Sequence, residues 1–437
     1  PLLLHAFFSK PFRGEGWLVL LGGWLAWFFL LIWLRNVTAH LSSPFAGALG
    51  WLAVLSLSGI MALFWWAWFA LLLRAVRTVR EKGLPARLGT VLALSACWVL
   101  LEWLRGFLFT GFPWLPLSAS QWERPLLLQI ASLTGASGVS FVLVAFNLGL
   151  GFYLYNLWVN RRQRWWRRLS VEFYLSLGIL FGAIAFGLQA SGAGKRGVIE
   201  GPRLGFVQPN VGAMEKWEPG MAEENLELLE DLTTYAAYLG AELILWPEAP
   251  TPYAVKGSPR MRAWVDALAR ETGIPMLIGN LAVETGPGAG ERRYYNAVFT
   301  VDPDDGVDLE GYYAKRHLVP FGEYLPLGDW IPFGRTVVPI SVDMTPGEEA
   351  RPLRLPGSAG EAGILICYED IFSRLARDNA RAGADWHYVA TNNAWFGEEA
   401  AGWQHAAHSV LRAVETRRPV VRVGRFARFS RAQEAQV

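Results

Sequence analysis

Charge and cysteine are both scarce in this sequence. Only 18% of its 437 residues are charged and 52% are hydrophobic, which is more apolar than an average soluble domain. The two cysteines are Cys97 and Cys367, and Cys97 sits in an apolar run, so we expect no disulfide scaffold. The net charge is +2 and no long basic run occurs, so nothing indicates a nucleic-acid partner. The apolar residues are therefore the first feature to explain.

Five stretches in the first half are long and apolar enough to cross a bilayer, which requires roughly 20 apolar residues for each span. They lie at about residues 17–34, 49–73, 88–103, 126–155 and 171–189. The alternative is a set of core helices in a large soluble protein, and the length and succession of the runs argue against it. The sequence therefore predicts a polytopic helical membrane domain.

The loops between these spans alternate in charge. Basic residues precede the first span and fill the loops at 74–87 and 161–168, whereas the loop at 36–48 is uncharged. The loop at 102–124 carries two charges of each sign, and Arg35 is a single basic residue on the other side. Because basic loops stay in the cytoplasm, five spans would place everything after residue 190 outside, in the periplasm of a bacterium with two membranes.

The second half has a different pattern. After a polar linker at 192–201, predicted strands at 203–207, 242–246, 274–279, 296–301, 311–315, 364–367, 387–391 and 420–423 are interspersed with helices. The helices are predicted at 221–239, 259–272, from 371 onward, and around 404–416. Alternation of strands and helices indicates a layered α/β domain.

Three polar side chains end or follow predicted strands: Glu248, Lys315 and Cys367. Functional groups in open α/β sheets gather at the carboxyl ends of strands. Glu248 could take a thiol proton, Lys315 could favour the thiolate and stabilise an oxyanion, and Cys367 could form an acyl intermediate. The helix predicted after Cys367 would also favour its thiolate.

Four segments around these residues resemble the nitrilase superfamily: 246–250 (WPEAP), 313–326 (YAKRHLVPFGEYLP), 366–369 (ICYE) and 392–397 (NNAWFG). The long block from Lys315 onward, joined to a membrane domain, resembles the apolipoprotein N-acyltransferase family. The segments 102–106 (EWLRG) and 110–114 (TGFPW) are similar to the membrane half of that family. Each segment alone is a weak signal, but together they are highly specific, and the resemblance covers nearly the whole chain.

The resemblance implies a membrane domain followed by a nitrilase-like α-β-β-α sandwich on the periplasmic side of the bacterial inner membrane. It implies an acyltransferase that takes a fatty acyl chain from a phospholipid, usually phosphatidylethanolamine, as a cysteine thioester. The acyl chain then passes to the α-amine of the N-terminal diacylglyceryl-cysteine of an apolipoprotein, in a ping-pong reaction. The implied partners are the phospholipid, the apolipoprotein and the bilayer, with no cofactor and no metal.

Carried over by position, the resemblance makes Glu248 the general base, Lys315 the oxyanion and thiolate partner, and Cys367 the nucleophile. Glu323 matches a glutamate that supports the lysine, and the Tyr368 backbone N–H is a natural oxyanion donor. Each residue also has a plain interpretation: a buried inert thiol, a helix-capping glutamate or a solvated lysine. The four motifs together favour catalysis.

Other positions keep two interpretations. Trp217 matches a position near the acyl pocket or simply packs, and Asn296 either lines the site or lies at a strand edge. Glu369 either adds polarity to the site or caps the following helix, and we expect Asp370 to cap that helix. Arg105 either binds a phospholipid head group or anchors a helix at the membrane boundary.

His405 and His408 are one helical turn apart and could suggest a metal pair. No third ligand is evident in the sequence, so we interpret them as residues that pack their helix.

The ends of the chain depart from the family pattern. Residues 1–8 resemble the tail of an earlier span, and 425–437 is basic and then polar where the family continues with strands and a last span. The predicted organisation is a membrane domain at 1–191, a catalytic domain at 192–424 and an atypical tail at 425–437, with N-terminal and C-terminal segments missing. Two other functions stay open: a membrane-tethered amidase or nitrilase, and an inactive truncated remnant.

Overall fold

The structure is a computed structural model that describes residues 2–39, 44–164, 168–194, 201–212, 219–286, 288, 290–326, 342–357, 359–397 and 400–424. The chain forms two compact units. The first comprises Pro1–Arg35 and Trp51–Val198, and the second comprises Asn36–Gly50 and Ile199–Val437.

The apolar first half folds into helices. In chain order they are α1 Leu2–Phe8, α2 Glu15–Leu31, α3 Leu34–Ala39, α4 Ala46–Val79, α5 Leu84–Arg105, α6 Pro125–Leu128, α7 Ala131–Thr134, α8 Ala136–Val159 and α9 Val171–Gly194. Within the described residues, α4, α5, α8 and α9 are the four helices long and apolar enough to cross a membrane. The predicted polytopic helical domain is therefore confirmed. The first predicted span corresponds to α2, which has 17 residues, so the number of five spans stays a prediction.

The single span predicted at 126–155 is wrong in its shape. The structure divides this stretch into α6, α7 and most of α8, and α8 alone is long enough to cross a membrane. Gly135 separates the last two with a φ of 70°, a conformation that glycine adopts without a steric penalty and that ends a helix. The stretch is apolar on average, and the polar and glycine residues at 129–138 are the local signal of these breaks.

Several charged side chains among the helices of the first unit are paired. Glu172 is fully buried and forms an ion pair with Arg87. Glu15 forms an ion pair with Arg77, and its Oε1 lies 2.6 Å from His5 Nε2. An isolated charge is costly in apolar surroundings, so pairing makes these residues compatible with membrane helices.

The second unit contains the predicted strands and helices, with ends shifted by a few residues. Its strands are β1 Leu204–Phe206, β2 Leu243–Leu245, β3 Met276–Thr285, β4 Arg292–Asp302, β5 Gly306–Val307, β6 Tyr313–Ala314, β7 Leu353–Arg354, β8 Glu361–Ile366, β9 Trp386–Thr391 and β10 Val420–Gly424. Its helices are α10 Pro219–Tyr238, α11 Pro259–Thr272, α12 Ser373–Arg381 and α13 Ala401–Thr416. One difference matters for the site: a short 3-10 helix, Cys367–Ile371, precedes α12.

The strands form two sheets. One has the order β1-β2-β3-β4-β5 with β6 paired to β4, and the other has the order β10-β9-β8-β7. β1, β2 and β3 are parallel, as are β8, β9 and β10, so their carboxyl ends lie at one edge of each sheet.

Alternating side chains of the strands bury two cores. Leu243 and Leu245 of β2 join Ile364 and Ile366 of β8 in a core between the two sheets. Ile244 faces the opposite way, into a core that includes residues of α10 and α11. Full burial of one such side chain stabilises the fold by about 1.5–3 kcal/mol. With α12 and α13 packed on the second sheet, the unit is an α-β-β-α sandwich, and the predicted fold class is confirmed.

Candidate active site

Cys367 lies directly after β8, at the first position of the 3-10 helix. Its φ of 50° is in the left-handed region, which costs a residue with a β-carbon about 1–3 kcal/mol. Only 7% of its surface is exposed. The fold therefore holds a single thiol in a strained, buried turn at the carboxyl end of a central strand.

A buried lysine is surrounded by two carboxylates. Lys315 Nζ lies 2.9 Å from Glu323 Oε1 and 3.4 Å from Glu248 Oε1. Asn296 Nδ2 donates to the same two oxygens, at 3.0 Å to Glu323 and 2.7 Å to Glu248. Lys315 is 1% exposed and Glu248 is 8% exposed. Both carboxylates thus share the same two donors, and Asn296 contacts the cluster as one of its two interpretations predicted.

Backbone contacts bring these residues together. Glu248 follows β2 and Lys315 follows β6, and the Lys315 N–H donates to the Asn296 carbonyl of β4 at 2.8 Å. Glu323 is fixed by its second oxygen, which accepts from the Val319 N–H at 2.8 Å. The cluster is therefore built on strand ends and one tight turn, which hold its charged groups rigidly.

The electrostatics of the cluster act in opposite directions on Lys315 and Cys367. Burial lowers the pKa of Lys315, but attraction to Glu323 and Glu248 outweighs it and raises that pKa above its usual value. Burial and the nearby Glu248 charge raise the pKa of Cys367 to about 12, although Lys315, Thr391 and Arg422 act to lower it. The resting cysteine is therefore a neutral thiol beside a charged lysine.

This result corrects the expectation that a helix N-terminus favours the Cys367 thiolate. The element after Cys367 is a five-residue 3-10 helix, and α12 begins only at Ser373. Burial of the thiol dominates instead. Thr391 and Arg422, which the sequence analysis missed, lower the pKa of Cys367; the position of Thr391 at the end of β9 was the only signal for either.

Glu369 is fully buried and accepts four hydrogen bonds. Its oxygens accept from the backbone N–H groups of Ile366 (2.8 Å), Arg316 (2.7 Å) and His317 (3.1 Å) and from the Tyr313 hydroxyl (2.9 Å). The bond to Ile366 caps the 3-10 helix that contains Glu369, and not the longer helix that the capping interpretation named. The other bonds tie the chain that follows Lys315 to the turn that carries Cys367.

Asp370 does not cap α12, so that expectation is wrong. The N-cap residue of α12 is Phe372, because the 3-10 helix separates Cys367 from the longer helix. Asp370 is fully buried, and its Oδ2 lies 2.5 Å from both Arg422 Nη1 and Ser409 Oγ. Burial raises the pKa of Asp370, but His405 and Arg422 outweigh it and hold that pKa well below its usual value.

The remaining predicted residues are placed as follows. The Tyr368 ring packs beside His317 and Phe372, with ring centroids 5.9 Å and 5.2 Å away. Arg105 belongs to the first unit, where it is buried with its guanidinium 5.3 Å from the centre of the Trp27 ring. Trp217 and the segment 425–437 lie outside the described residues. Roles in catalysis stay predictions for all the site residues.

His405 and His408 do not form a metal site within the described part of the chain, where no group of three or more His, Cys, Asp or Glu residues could hold a metal ion. Both are fully buried in α13. The His405 ring contacts Arg422 and the backbone of Cys367 instead. The packing interpretation is thus the better one, and His405 also makes polar contacts that it did not include.

Comparisons with known proteins agree with this architecture. A family model described as carbon-nitrogen hydrolase matches residues 203–435, and one described as apolipoprotein N-acyltransferase N-terminal domain matches residues 1–149. A curated apolipoprotein N-acyltransferase from Geobacter metallireducens is 34% identical over 86% of this chain and 70% of its own length. Another from Brucella suis is 32% identical over 90% of this chain and 70% of its own.

Solved structures resemble the second half of the chain only distantly. An amidase from Nesterenkonia sp. is 24% identical, with a TM-score of 0.36, over 52% of this chain and 78% of its own. A carbon-nitrogen hydrolase from Helicobacter pylori G27 is 18% identical, with a TM-score of 0.33, over 47% of this chain and 69% of its own. At this level of similarity, the assignment rests on the sequence matches.

Proposed function

This chain belongs to the apolipoprotein N-acyltransferase family, and on that premise we propose that it transfers a fatty acyl chain from a phospholipid to an apolipoprotein. The acceptor is the α-amine of the N-terminal diacylglyceryl-cysteine. Within the structure, the observation that most supports this function is the buried Lys315 ammonium, which is held between Glu248 and Glu323 and acts to lower the pKa of the Cys367 thiol.

In the first half-reaction, Glu248 removes the proton from the Cys367 thiol. The sulfur attacks the ester carbonyl of the phospholipid, and Lys315 stabilises the negative oxygen of the tetrahedral intermediate. Collapse of the intermediate breaks the carbon–oxygen ester bond. The departing lysophospholipid oxygen takes the proton from Glu248, and the acyl chain stays on Cys367 as a thioester.

In the second half-reaction, the neutral α-amine of the apolipoprotein attacks the thioester. Glu248 accepts a proton from the attacking nitrogen, and the carbon–sulfur bond breaks. The Cys367 thiolate then takes this proton from Glu248 and is restored as a thiol. Glu323 and Asn296 keep Lys315 and Glu248 in place through both steps, and the Tyr368 N–H is a second oxyanion donor.

We propose phosphatidylethanolamine as the acyl donor and the bacterial inner membrane as the location. The membrane domain would comprise residues 1–191, and the catalytic domain, residues 192–424, would lie on the periplasmic side. Four helices of the described residues that could cross a membrane support the membrane location. Basic loops that alternate with non-basic loops support the periplasmic side, with α2 as a fifth span. A lipid donor held in the same bilayer as the enzyme reaches a high effective concentration without a tight soluble pocket.

The transfer can be tested with the full chain in liposomes. Phosphatidylethanolamine with isotope-labelled acyl chains is supplied together with a diacylglyceryl-cysteine peptide. We expect the label on the α-amine of the peptide and release of lysophospholipid, both measured by mass spectrometry. The Cys367→Ala variant should give neither product, because it lacks the nucleophile.

Two controls make the result decisive. A lipopeptide with an acetylated α-amine has no acceptor nitrogen and should stay unlabelled. The match to the carbon-nitrogen hydrolase model makes an amidase the second candidate function. Ammonia release from small amides, without transfer of label to the lipopeptide, would replace the proposed function with that one.

A further inference from the structure

One face of α13 presents polar side chains to the turn that carries Cys367. His405, Ser409 and Arg412 are four and then three residues apart, so they lie on the same side of the helix. All three are buried. The sequence suggested a metal pair or a packing role for His405, with packing preferred, and the reaction proposed above uses none of the three.

These side chains hydrogen-bond to the backbone and carboxylate of the turn. His405 Nε2 lies 3.1 Å from the carbonyl oxygen of Cys367 and 2.8 Å from Asp370 Oδ1. Arg412 Nη1 donates to the carbonyl oxygens of Asp370 (3.3 Å) and Ile371 (3.1 Å). The carbonyl groups of the short 3-10 helix therefore obtain buried donors from α13.

Arg422 of β10 fixes the protonation of the His405 ring. Its Nη2 lies 2.7 Å from His405 Nδ1, and its Nη1 lies 2.5 Å from Asp370 Oδ2. A guanidinium group only donates hydrogen bonds and stays charged, so Nδ1 must be the acceptor with a free electron pair. The single ring proton is then on Nε2, the nitrogen that faces the Cys367 carbonyl oxygen at 3.1 Å and Asp370 Oδ1 at 2.8 Å.

The electrostatics agree with a neutral ring. Burial and the neighbouring Arg422 lower the pKa of His405, against the opposing effect of Asp370. A second proton on Nδ1 would face the Arg422 donor at 2.7 Å. His405 is therefore a fixed donor with one orientation, set by residues from two other elements.

We propose that His405 is a positioning residue for the nucleophile: its Nε2–H holds the carbonyl group of Cys367 and keeps the strained turn, and with it the sulfur, aligned with Glu248 and Lys315. The inference rests on the proposed function in taking Cys367 as the nucleophile. Cys367 has a φ of 50°, and a strained backbone conformation persists only when its surroundings enforce it. His405 supplies such an enforcing contact from outside the turn.

The test compares His405→Gln with His405→Met in the full chain. The two side chains have similar size and shape, and the Gln amide can donate to the Cys367 carbonyl whereas Met cannot. Single-turnover acylation gives two quantities. The amplitude measures the fraction of enzyme that can be acylated, and the rate constant depends on how well the Cys367 sulfur is aligned with Glu248 and Lys315. We expect Met to lower the rate constant by about 100-fold with the amplitude and donor KM unchanged, and Gln to restore most of the rate.

A purely structural role would lower the amplitude and leave the rate constant of the folded enzyme unchanged. That result, or equal rate constants for the Gln and Met variants, would overturn the proposal. Alkylation of Cys367 by iodoacetamide is a second measurement, which needs no lipid. Alkylation should be faster in the Met variant than in the Gln variant, because loss of the His405 contact releases the buried thiol. If the wild-type chain transfers no acyl group, the proposed function is wrong. The difference in alkylation rate between the Met and Gln variants still tests the role of His405 in that case.

If the Met variant does not fold, the wild-type protein can be tested directly. The ¹⁵N NMR shifts of its histidines distinguish the two neutral tautomers from the charged ring, with His405→Gln used to assign the signal. We expect the neutral ring protonated at Nε2 at neutral pH. A proton on Nδ1, alone or in the charged ring, would contradict the proposal.

Discussion

Replacement of Glu248 by glutamine is expected to have opposite effects on two reactions of Cys367. Acyl-enzyme formation should fall by about 10²–10⁴-fold, because the thiol loses the base that removes its proton. Alkylation of Cys367 by iodoacetamide should become faster. The Glu248 charge helps to raise the pKa of Cys367 to about 12, so its removal lowers that pKa and increases the thiolate fraction at neutral pH.

The sign of this effect can be checked across pH. A raised pKa keeps Cys367 protonated in the folded enzyme at neutral pH, so alkylation of wild type should be slow there and should rise as the pH approaches about 12. In Glu248→Gln the rise should begin at lower pH. Stopped-flow acylation and alkylation followed by mass spectrometry measure the two reactions on the same preparation.

Glu323→Gln is the matched control for this experiment. It makes the same chemical change to the other carboxylate that contacts Lys315 and Asn296, but the main effects on the pKa of Cys367 include Glu248 and not Glu323. We expect it to change alkylation less than Glu248→Gln does. Slower alkylation of Glu248→Gln than of wild type would contradict the role assigned to Glu248.

Removal of Lys315 is expected to damage both stability and catalysis. Lys315→Met leaves the Glu248 and Glu323 carboxylates in a buried site without their cation. Loss of one partner of a buried ion pair costs about 3–5 kcal/mol, so the melting temperature of the full chain should drop clearly. Acyl-enzyme formation should also fall by about 10²–10³-fold, because the oxyanion loses its stabilising charge.

A double-mutant cycle separates these two losses. Lys315→Met combined with Glu323→Gln removes the cation together with one of the buried carboxylates. We expect the double variant to recover part of the melting temperature and none of the acylation rate. Retention of near wild-type acylation by folded Lys315→Met would exclude Lys315 from the reaction.

The sequence predicted the fold well where local signals agree. Helix α11 was placed correctly at both ends, because Ser258 supplies an N-cap bond to the Met261 N–H at 3.3 Å and Pro259 follows it. Gly273 ends the helix in the left-handed conformation with a φ of 66°. Apolar helices and alternating strands also gave the two-part architecture without any contact information.

The tendency of functional groups to lie at the carboxyl ends of strands predicted the residues of the site, but it did not predict their protonation states. Glu248 and Lys315 do meet at a strand edge, with 3.4 Å between Nζ and Oε1. A cysteine before a helix suggested a thiolate, yet its pKa is raised. Burial and neighbouring charge decide that direction, and both depend on residues far away in the chain.

Contacts between elements that are distant in the sequence explain why the partners of Asp370 and Glu369 were not predicted. Asp370 was expected to cap a helix, but its partners His405, Ser409 and Arg422 come from α13 and β10. Glu369 likewise bonds to Arg316 and His317, more than 50 positions away. Spacing within one element cannot reveal such partners, because the packing of layers sets them.

The most direct measurement asks whether Cys367 carries the acyl chain. The wild-type chain is incubated in liposomes with phosphatidylethanolamine and no acceptor, and is then digested. The mass of the peptide that contains Cys367 is measured by mass spectrometry before and after hydroxylamine treatment. We expect the mass of one acyl chain on Cys367, removed by hydroxylamine as a thioester would be. A folded enzyme with an unmodified Cys367, or with the acyl chain on another residue, would contradict the proposed function.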